Sequence, residues 1–170
     1  MTWLTSDLML FGALFATYFF LRSRTAAWPP DGVELDLLWS SVFTVVLLAS
    51  SATMQLGAWA ARRGQRPALL AWTLASWILG ASFLANQLRE YAAASFLWST
   101  HAYGSIYWTA TGVHGAHVLG GLVLMLVLIA RVRDTSIGAP EQRMVEAVTW
   151  YWHFVDIVWI GLFATIFLVR

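Results

Sequence analysis

Cysteine is absent from this 170-residue chain, and so is lysine. Without cysteine the chain has no disulfide, no iron–sulfur cluster, no thiolate copper site and no cysteine nucleophile. All ten basic residues are arginine, they form no long basic run, and the net charge is +1, so nothing predicts binding to nucleic acid. Charged residues make up only 11% of the chain and apolar residues 59%, which is typical of a polytopic membrane protein.

Five apolar stretches are long enough to cross a bilayer, which takes about 20 residues per helix. The segments between them carry the proline, glycine and arginine residues that predict turns. We therefore predict an all-α, polytopic bundle of five transmembrane helices that forms a single domain over residues 1–170. The first stretch lacks a basic leader and contains Asp7, so we expect a true span and not a cleaved signal peptide. The predicted spans are residues 3–21, 37–61, 68–88, 103–130 and 145–169.

The arginines predict an orientation in the membrane. Because basic residues are enriched in short cytoplasmic loops, the side with more of them is expected to lie inside. Six arginines follow the second and fourth spans and four lie on the other side, which places the N-terminus inside and the C-terminus outside. The six are Arg62, Arg63, Arg66, Arg131, Arg133 and Arg143, and the four are Arg22, Arg24, Arg89 and Arg170.

The last span contains an ionisable pair within the stretch T-W-Y-W-H-F-V-D-I-V-W at residues 149–159. His153 and Asp156 are three residues apart and so share a helix face. At this depth ionisable groups cost several kcal/mol unless they satisfy each other or a neighbouring helix does. Two interpretations remain open: a hydrogen-bonded pair that locks the bundle, or a site that handles protons or a cofactor.

Other polar residues fall at a similar depth on different spans. Asp7 lies in the first turns of span one, and His114 and His117 lie near the middle of span four. With the predicted topology, Asp7, His117, His153 and Asp156 could meet in the inner half of one bundle. The alternatives are an interfacial or capping role for Asp7, and packing of the two histidines with hydrogen bonds to threonine or backbone. At the end of span three, we expect Arg89 and Glu90 to form a solvated charge pair.

A bound redox centre fits this sequence poorly. Haem in a helix bundle usually needs two axial histidines on different helices, and His117 and His153 each have another ionisable residue one turn away. A non-haem metal would take three or four histidine and carboxylate ligands. We therefore expect no metal site and no bound redox centre in this chain.

Several motifs resemble subunit III of the haem–copper oxidases over most of the chain, from about residue 6 to residue 170. The resemblance is carried by Y-G-S at 103–105, A-T-G-V-H-G-A-H-V at 110–118 and Y-W-H-F-V-D-I-V-W at 151–159. S-D-L-M-L-F at 6–11 is similar to the helix in which that family carries a carboxylate, most often glutamate where this chain has Asp7. The sequence looks most like cytochrome c oxidase subunit III of the actinobacterial, five-helix type, with the quinol oxidase subunit as the alternative.

The resemblance implies a subunit without redox centres in a proton-pumping terminal oxidase of aerobic respiration, in the bacterial plasma membrane. Such a subunit clasps catalytic subunit I, accompanies subunit II, binds structural phospholipids and supports proton uptake. Haem and copper would lie in the partner subunits, and a cytochrome bc-type complex would be a further partner in a supercomplex. An independent haem protein or proton-coupled transporter is the competing class. By position, Asp7 would be the buried carboxylate of proton uptake, Arg131 a lipid-headgroup contact, and His114, His117, His153 and Asp156 the polar residues that lock the bundle.

Overall fold

The structure, a computed structural model, describes residues 2–30, 33, 35–133 and 137–169, with the backbone alone for residues 2 and 3. Arg170, which the orientation prediction counts, lies outside these residues. Within them every regular element is helical, and five helices are long and apolar enough to cross a membrane, which confirms the predicted class. The elements are α1 (Thr2–Arg24), α2 (Leu37–Arg62), α3 (Arg66–Ala93), α4 (Ala102–Arg133), α5 (Ala139–Phe163) and a π-helical turn (Ala164–Leu168).

The start of α5 differs most from the predicted spans, because the helix begins at Ala139 and not at residue 145. Its first turn is polar and so lies outside the apolar run, but it carries its own helix-start signals. Pro140 occupies the first turn, where a missing amide hydrogen costs nothing. The Gly138 amide donates to Glu141 Oε2 at 3.0 Å, which satisfies one of the free donors at a helix start.

Four helices form a closed ring, and the fifth lies outside it. Helix α2 packs on α3 and α5, and α4 also packs on α3 and α5, so the ring runs α2, α3, α4, α5. Helix α1 packs on α4 and α5. At Gly161 of α5 the ring of Phe15 packs directly on the helix backbone, since an added Cβ would lie 2.9 Å from that ring. Side chains of α1 can therefore reach both α4 and α5.

Two contacts establish which helix ends lie together. Arg62 at the end of α2 forms an ion pair with Glu146 near the start of α5, at 3.1 Å. The Tyr18 hydroxyl of α1 donates to the carbonyl oxygen of Thr165 in the π-helical turn, at 2.6 Å. The start of α1 therefore lies at the same end as the start of α5 and the end of α2. We call this the arginine-rich end, because it carries Arg62, Arg63, Arg66, Arg131, Arg133 and Arg143.

Trp152 of α5 contacts all three of the other ring helices. Its side chain is fully buried between Gly80 of α3 and Gly121 of α4, where an added Cβ would lie 2.7 Å and 2.6 Å from the indole ring. Its Nε1 donates to Ser50 Oγ of α2 at 2.9 Å. Small residues at these positions let the helices approach closely, which is how membrane helices gain packing energy without a hydrophobic driving force between them.

Candidate functional site

The carboxylate of Asp7 faces an imidazole across the α1–α4 interface. Asp7 Oδ1 lies 3.6 Å from His117 Nε2, which is an ion-pair distance and longer than a direct hydrogen bond. Both side chains are about one-fifth exposed. The structure thus brings together two of the four residues that were predicted to meet, while His153 and Asp156 lie against α2.

The second nitrogen of His117 defines where its proton sits. Nδ1 lies 2.8 Å from the carbonyl oxygen of Val113, one turn earlier in α4. A carbonyl only accepts, so Nδ1 carries the hydrogen and Nε2 is left to face Asp7. A lone pair opposite a carboxylate is unfavourable, whereas one proton placed on either atom makes the contact attractive. Either group can therefore carry the one proton that makes this contact attractive.

A cavity of about 320 Å³ opens beside this pair. Asp7, His117, Ala116 and Tyr151 line it. The Tyr151 hydroxyl donates to the carbonyl oxygen of His117 at 2.8 Å and so ties α5 to α4 at the same level. The small side chain of Ala116 leaves the room next to the carboxylate. The site is thus built by three helices and stays open on one side.

His153 is satisfied by α2 and not by Asp156, which departs from the expectation of a pair closed within α5. Its Nδ1 lies 2.9 Å from Ser51 Oγ, and its Nε2 lies 3.1 Å from Gln55 Oε1. Because α2 runs antiparallel to α5, Ser51 and Gln55, one turn apart, bracket the imidazole. The histidine therefore links two helices through both ring nitrogens.

Asp156 is buried without a well-formed hydrogen bond. Its side chain is only 2% exposed, and neither carboxyl oxygen has a partner within the described part of the chain. The Ser51 hydroxyl of α2 lies beside the carboxyl group, in an arrangement that falls short of a formed hydrogen bond. In the same part of the chain, no arginine or histidine lies within ion-pair distance of this carboxyl group. An ionised group here would be an uncompensated charge in the bundle.

His114 lies in an aromatic cage. Its ring stacks on Trp159 with a centroid distance of 4.9 Å, and Phe83 and Phe11 contact it edge-on at 6.0 Å and 6.5 Å. Among the described residues neither ring nitrogen has a hydrogen-bond partner. The sequence offered two roles, packing or ligation, and the surroundings of His114 are those of a packing group.

The far end of α3 differs from its expected surface charge pair. Glu90 Oε1 accepts hydrogen bonds from Ser40 Oγ and Asn86 Nδ2, each at 2.9 Å. Arg89 lies over the ring of Trp39 instead, at 5.1 Å from its centroid. A partly buried carboxylate bound to two neutral donors replaces the solvated charge pair, because the hydroxyl of α2 is within reach and a guanidinium stacks well on indole.

Comparison with known proteins gives a consistent answer. The family described as cytochrome c oxidase subunit III matches residues 1–169. A Nocardia farcinica protein named probable cytochrome c oxidase subunit 3 is 43% identical over 172 residues, covering 99% of this chain and 85% of the relative. The Mycobacterium tuberculosis protein of the same name is 40% identical over 172 residues with the same coverage, 99% and 85%. Cytochrome c oxidase subunit 3 of Corynebacterium diphtheriae is 35% identical over 173 residues, covering 98% of this chain and 84% of the relative. The chain belongs to the cytochrome c oxidase subunit III family.

Subunit III is the non-catalytic subunit of haem–copper oxidases, so the chain is one part of an oxidoreductase complex with other subunits. With five helices able to span, it is a multi-pass membrane protein. In the ranges that the structure describes, no three histidine, aspartate or glutamate side chains come together in a group that could hold a metal ion. The family resemblance drawn from the motifs of α1, α4 and α5 is confirmed.

Arg131, which the resemblance assigns to a lipid headgroup, lies at the arginine-rich end of subunit III. Its Nε is 4.0 Å from Glu141 Oε1, and its side chain is 61% exposed. The carboxylate of Glu141 also caps the start of α5, so it holds the guanidinium near that helix start. More than half of the Arg131 side chain is therefore accessible from outside the bundle.

Sequence reasoning missed the residues of α2 that satisfy α5. Ser51 and Gln55 bind His153, while Ser50 and Thr44 accept hydrogen bonds from Trp152 Nε1 and Trp159 Nε1, each at 2.9 Å. A signal was present, because S-S-A-T-M-Q at residues 50–55 places hydroxyls and an amide within an apolar span. Such groups need partners when they are buried in a membrane, and the ionisable residues of another span are natural ones.

Proposed function

We propose that this subunit III supports proton uptake by the catalytic subunit of a bacterial cytochrome c oxidase, and that Asp7 is the residue through which it does so. The observation that carries the proposal is the pair formed by Asp7 Oδ1 and His117 Nε2, 3.6 Å apart beside an open cavity. This pair lies towards the start of α1, which belongs to the arginine-rich end. The excess of arginine there favours the cytoplasmic side, from which such an oxidase takes its protons.

The pair suits transient proton storage. A proton from cavity water binds either the Asp7 carboxylate or Nε2 of His117, since Nδ1 is occupied by the Val113 carbonyl. The same proton leaves through the open side of the cavity. Two neighbouring acceptors offer an incoming proton two binding positions, and this storage requires no redox centre.

We further propose that subunit III contacts mainly oxidase subunit I, with subunit II nearby, and that haem and copper reside in those partners. The bacterial plasma membrane is the proposed location, supported by the bacterial relatives and the five spans. A structural phospholipid at Arg131 is supported by the exposure of its guanidinium. Membership of a supercomplex with a cytochrome bc-type complex stays a prediction.

The test is proton uptake by the purified oxidase complex in liposomes, with Asp7→Asn in this chain. We expect slower turnover-coupled uptake at alkaline pH, where free protons are scarce and a storage site matters most. Asp7→Glu keeps a carboxylate and should retain most of the wild-type rate. Asp36→Asn is the matched control, since Asp36 caps α2 at the opposite end and asparagine is an equally good N-cap.

An Asp7→Asn complex with normal subunit content, and with unchanged turnover and pumping across the pH range, would reduce Asp7 to a structural residue. Slowing by Asp36→Asn to the same extent would show a general effect of lost charge and not a role of the Asp7–His117 pair.

A further inference from the structure

The buried polar residues between α2 and α5 form a second group, on the other side of the bundle from Asp7. Asp156, Ser51, His153 and Gln55 follow one another from the buried interface towards the arginine-rich end. Since α5 rises about 1.5 Å per residue, Asp156 lies roughly 15 Å from Glu146 along the helix. The side chains of Ser51 and His153 occupy the interval.

A cavity leads to this group from the arginine-rich end. Its volume is about 160 Å³, and it lies between the Arg62–Glu146 ion pair and the imidazole of His153. Gln55 and Ala58 of α2 form part of its wall. The cavity is polar at both ends, which is the condition for holding water next to protein groups. His153 therefore separates the cavity from Asp156.

The hydrogen bonds determine which group is the donor and which the acceptor at each step from Gln55 to Asp156. Gln55 Oε1 accepts, so His153 Nε2 is the donor in the 3.1 Å contact, and Nδ1 must accept from Ser51 Oγ at 2.9 Å. The single hydrogen of Ser51 is then used on His153, and the Ser51 oxygen presents lone pairs to Asp156. A carboxylic acid at Asp156 can donate to that oxygen, whereas a carboxylate cannot.

The opposite arrangement is less favourable. If the Gln55 amide were turned round, Ser51 could donate to an ionised Asp156, but the carboxylate would then have one donor and no positive partner in the described chain. An isolated charge at such depth is expensive, whereas a neutral acid carries no charge and can donate its one hydrogen to Ser51.

We propose that Asp156, Ser51 and His153 form a proton-exchanging site, with Asp156 a neutral acid that communicates with the arginine-rich end through His153 and the adjoining cavity. Exchange requires the Asp156 O–H bond to break as a new O–H bond forms on Ser51, while the original Ser51 hydrogen passes to His153 Nδ1. The imidazolium then releases its Nε2 proton to water in the cavity, and Asp156 recovers a proton by the reverse route. This site does not depend on the role proposed for Asp7.

Infrared spectroscopy of the intact oxidase complex tests the proposal, because only protonated carboxyl groups give a carboxylic C=O stretching band. In wild-type complex we expect a component of that band to shift to lower frequency in D₂O. Asp156→Asn should abolish this component, whereas Asp7→Asn should leave it in place. Loss of the component in Asp7→Asn with retention in Asp156→Asn would overturn the assignment.

Two further variants test the route and guard against misfolding of Asp156→Asn. Ser51→Ala removes only the linking hydroxyl, so the component should change frequency and exchange more slowly. Glu146→Gln removes the carboxylate at the cavity mouth and should also slow exchange, while Glu141→Gln, on the same helix but outside the cavity wall, should not. A wild-type component that is absent, or that is unaffected in both Ser51→Ala and Asp156→Asn, refutes the site. Equal exchange rates in Glu146→Gln and wild type refute the route.

Discussion

Replacing Gly121 by alanine puts a methyl group into the indole ring of Trp152. The added Cβ would lie 2.6 Å from ring carbons Cε3 and Cζ3, closer than any real Cβ contact. The ring cannot retreat, because its other edge lies against Gly80 of α3, and Nε1 is held by Ser50. Overpacking of this kind costs about 1–3 kcal/mol, which corresponds to an unfolding constant about 5- to 150-fold larger.

The assay is titration of the purified oxidase complex with denaturing detergent, following the fraction of subunit III that stays folded and bound. Gly112→Ala is the matched control on the same helix, since its Cβ would meet only the Tyr91 hydroxyl at 3.8 Å, an ordinary contact. We expect the control to lie within about 0.5 kcal/mol of wild type. In a Trp152→Phe background, Gly121→Ala should cost less than it does in wild type, because the smaller ring vacates the contact. Equal stability of Gly121→Ala and Gly112→Ala would refute the packing argument.

Three further changes test single contacts by thermal denaturation of the complex. His114→Phe should be neutral or stabilising, because it removes a ring with no hydrogen-bond partner in the described chain; a loss above about 2 kcal/mol would contradict this expectation. Tyr18→Phe loses the 2.6 Å bond to Thr165 and should cost about 0.6–1.7 kcal/mol, so an unchanged melting temperature would contradict a tie at this end. Glu146→Gln breaks an exposed ion pair with Arg62 and should cost less than about 1 kcal/mol, while a larger loss would indicate a structural role.

The helices themselves were predictable because membrane spans are encoded by length and apolarity alone. All five predicted spans overlap a helix, and the differences lie at the ends, where polar turns extend the helix beyond the apolar run. Helix α4 continues to Arg133, and α5 starts at Ala139, because arginine side chains and a capped first turn are compatible with helix at the interface. Hydropathy does not predict these turns, because their residues are polar.

The sequence predicted the depth of the polar residues in the membrane, but not which neighbouring helix each side chain contacts. The predicted direction of each span placed Asp7 and His117 at a similar depth in the membrane. In the structure the two side chains lie 3.6 Å apart. The sequence could not show that His153 turns to α2, because residue spacing on one helix gives a shared face but not the neighbour that the face meets. The neighbour depends on the ring order of the helices, which leaves α5 between α2 and α4. This order of the helices is what places Ser51 of α2 next to His153 of α5.

The α2–α5 interface also explains why Asp156 and Ser51 stay in register. Trp152 and Trp159, seven residues apart, donate to Ser50 and Thr44 on the antiparallel helix. Each of these hydroxyls donates in turn to a carbonyl of its own helix, so the indole must be its incoming donor. A slip of α5 by one turn would leave two buried indole N–H groups without acceptors, and each such loss costs about 1–3 kcal/mol. The two indoles therefore hold the register on either side of Asp156, so the Asp156–Ser51 approach should survive loss of one indole hydrogen bond but not both.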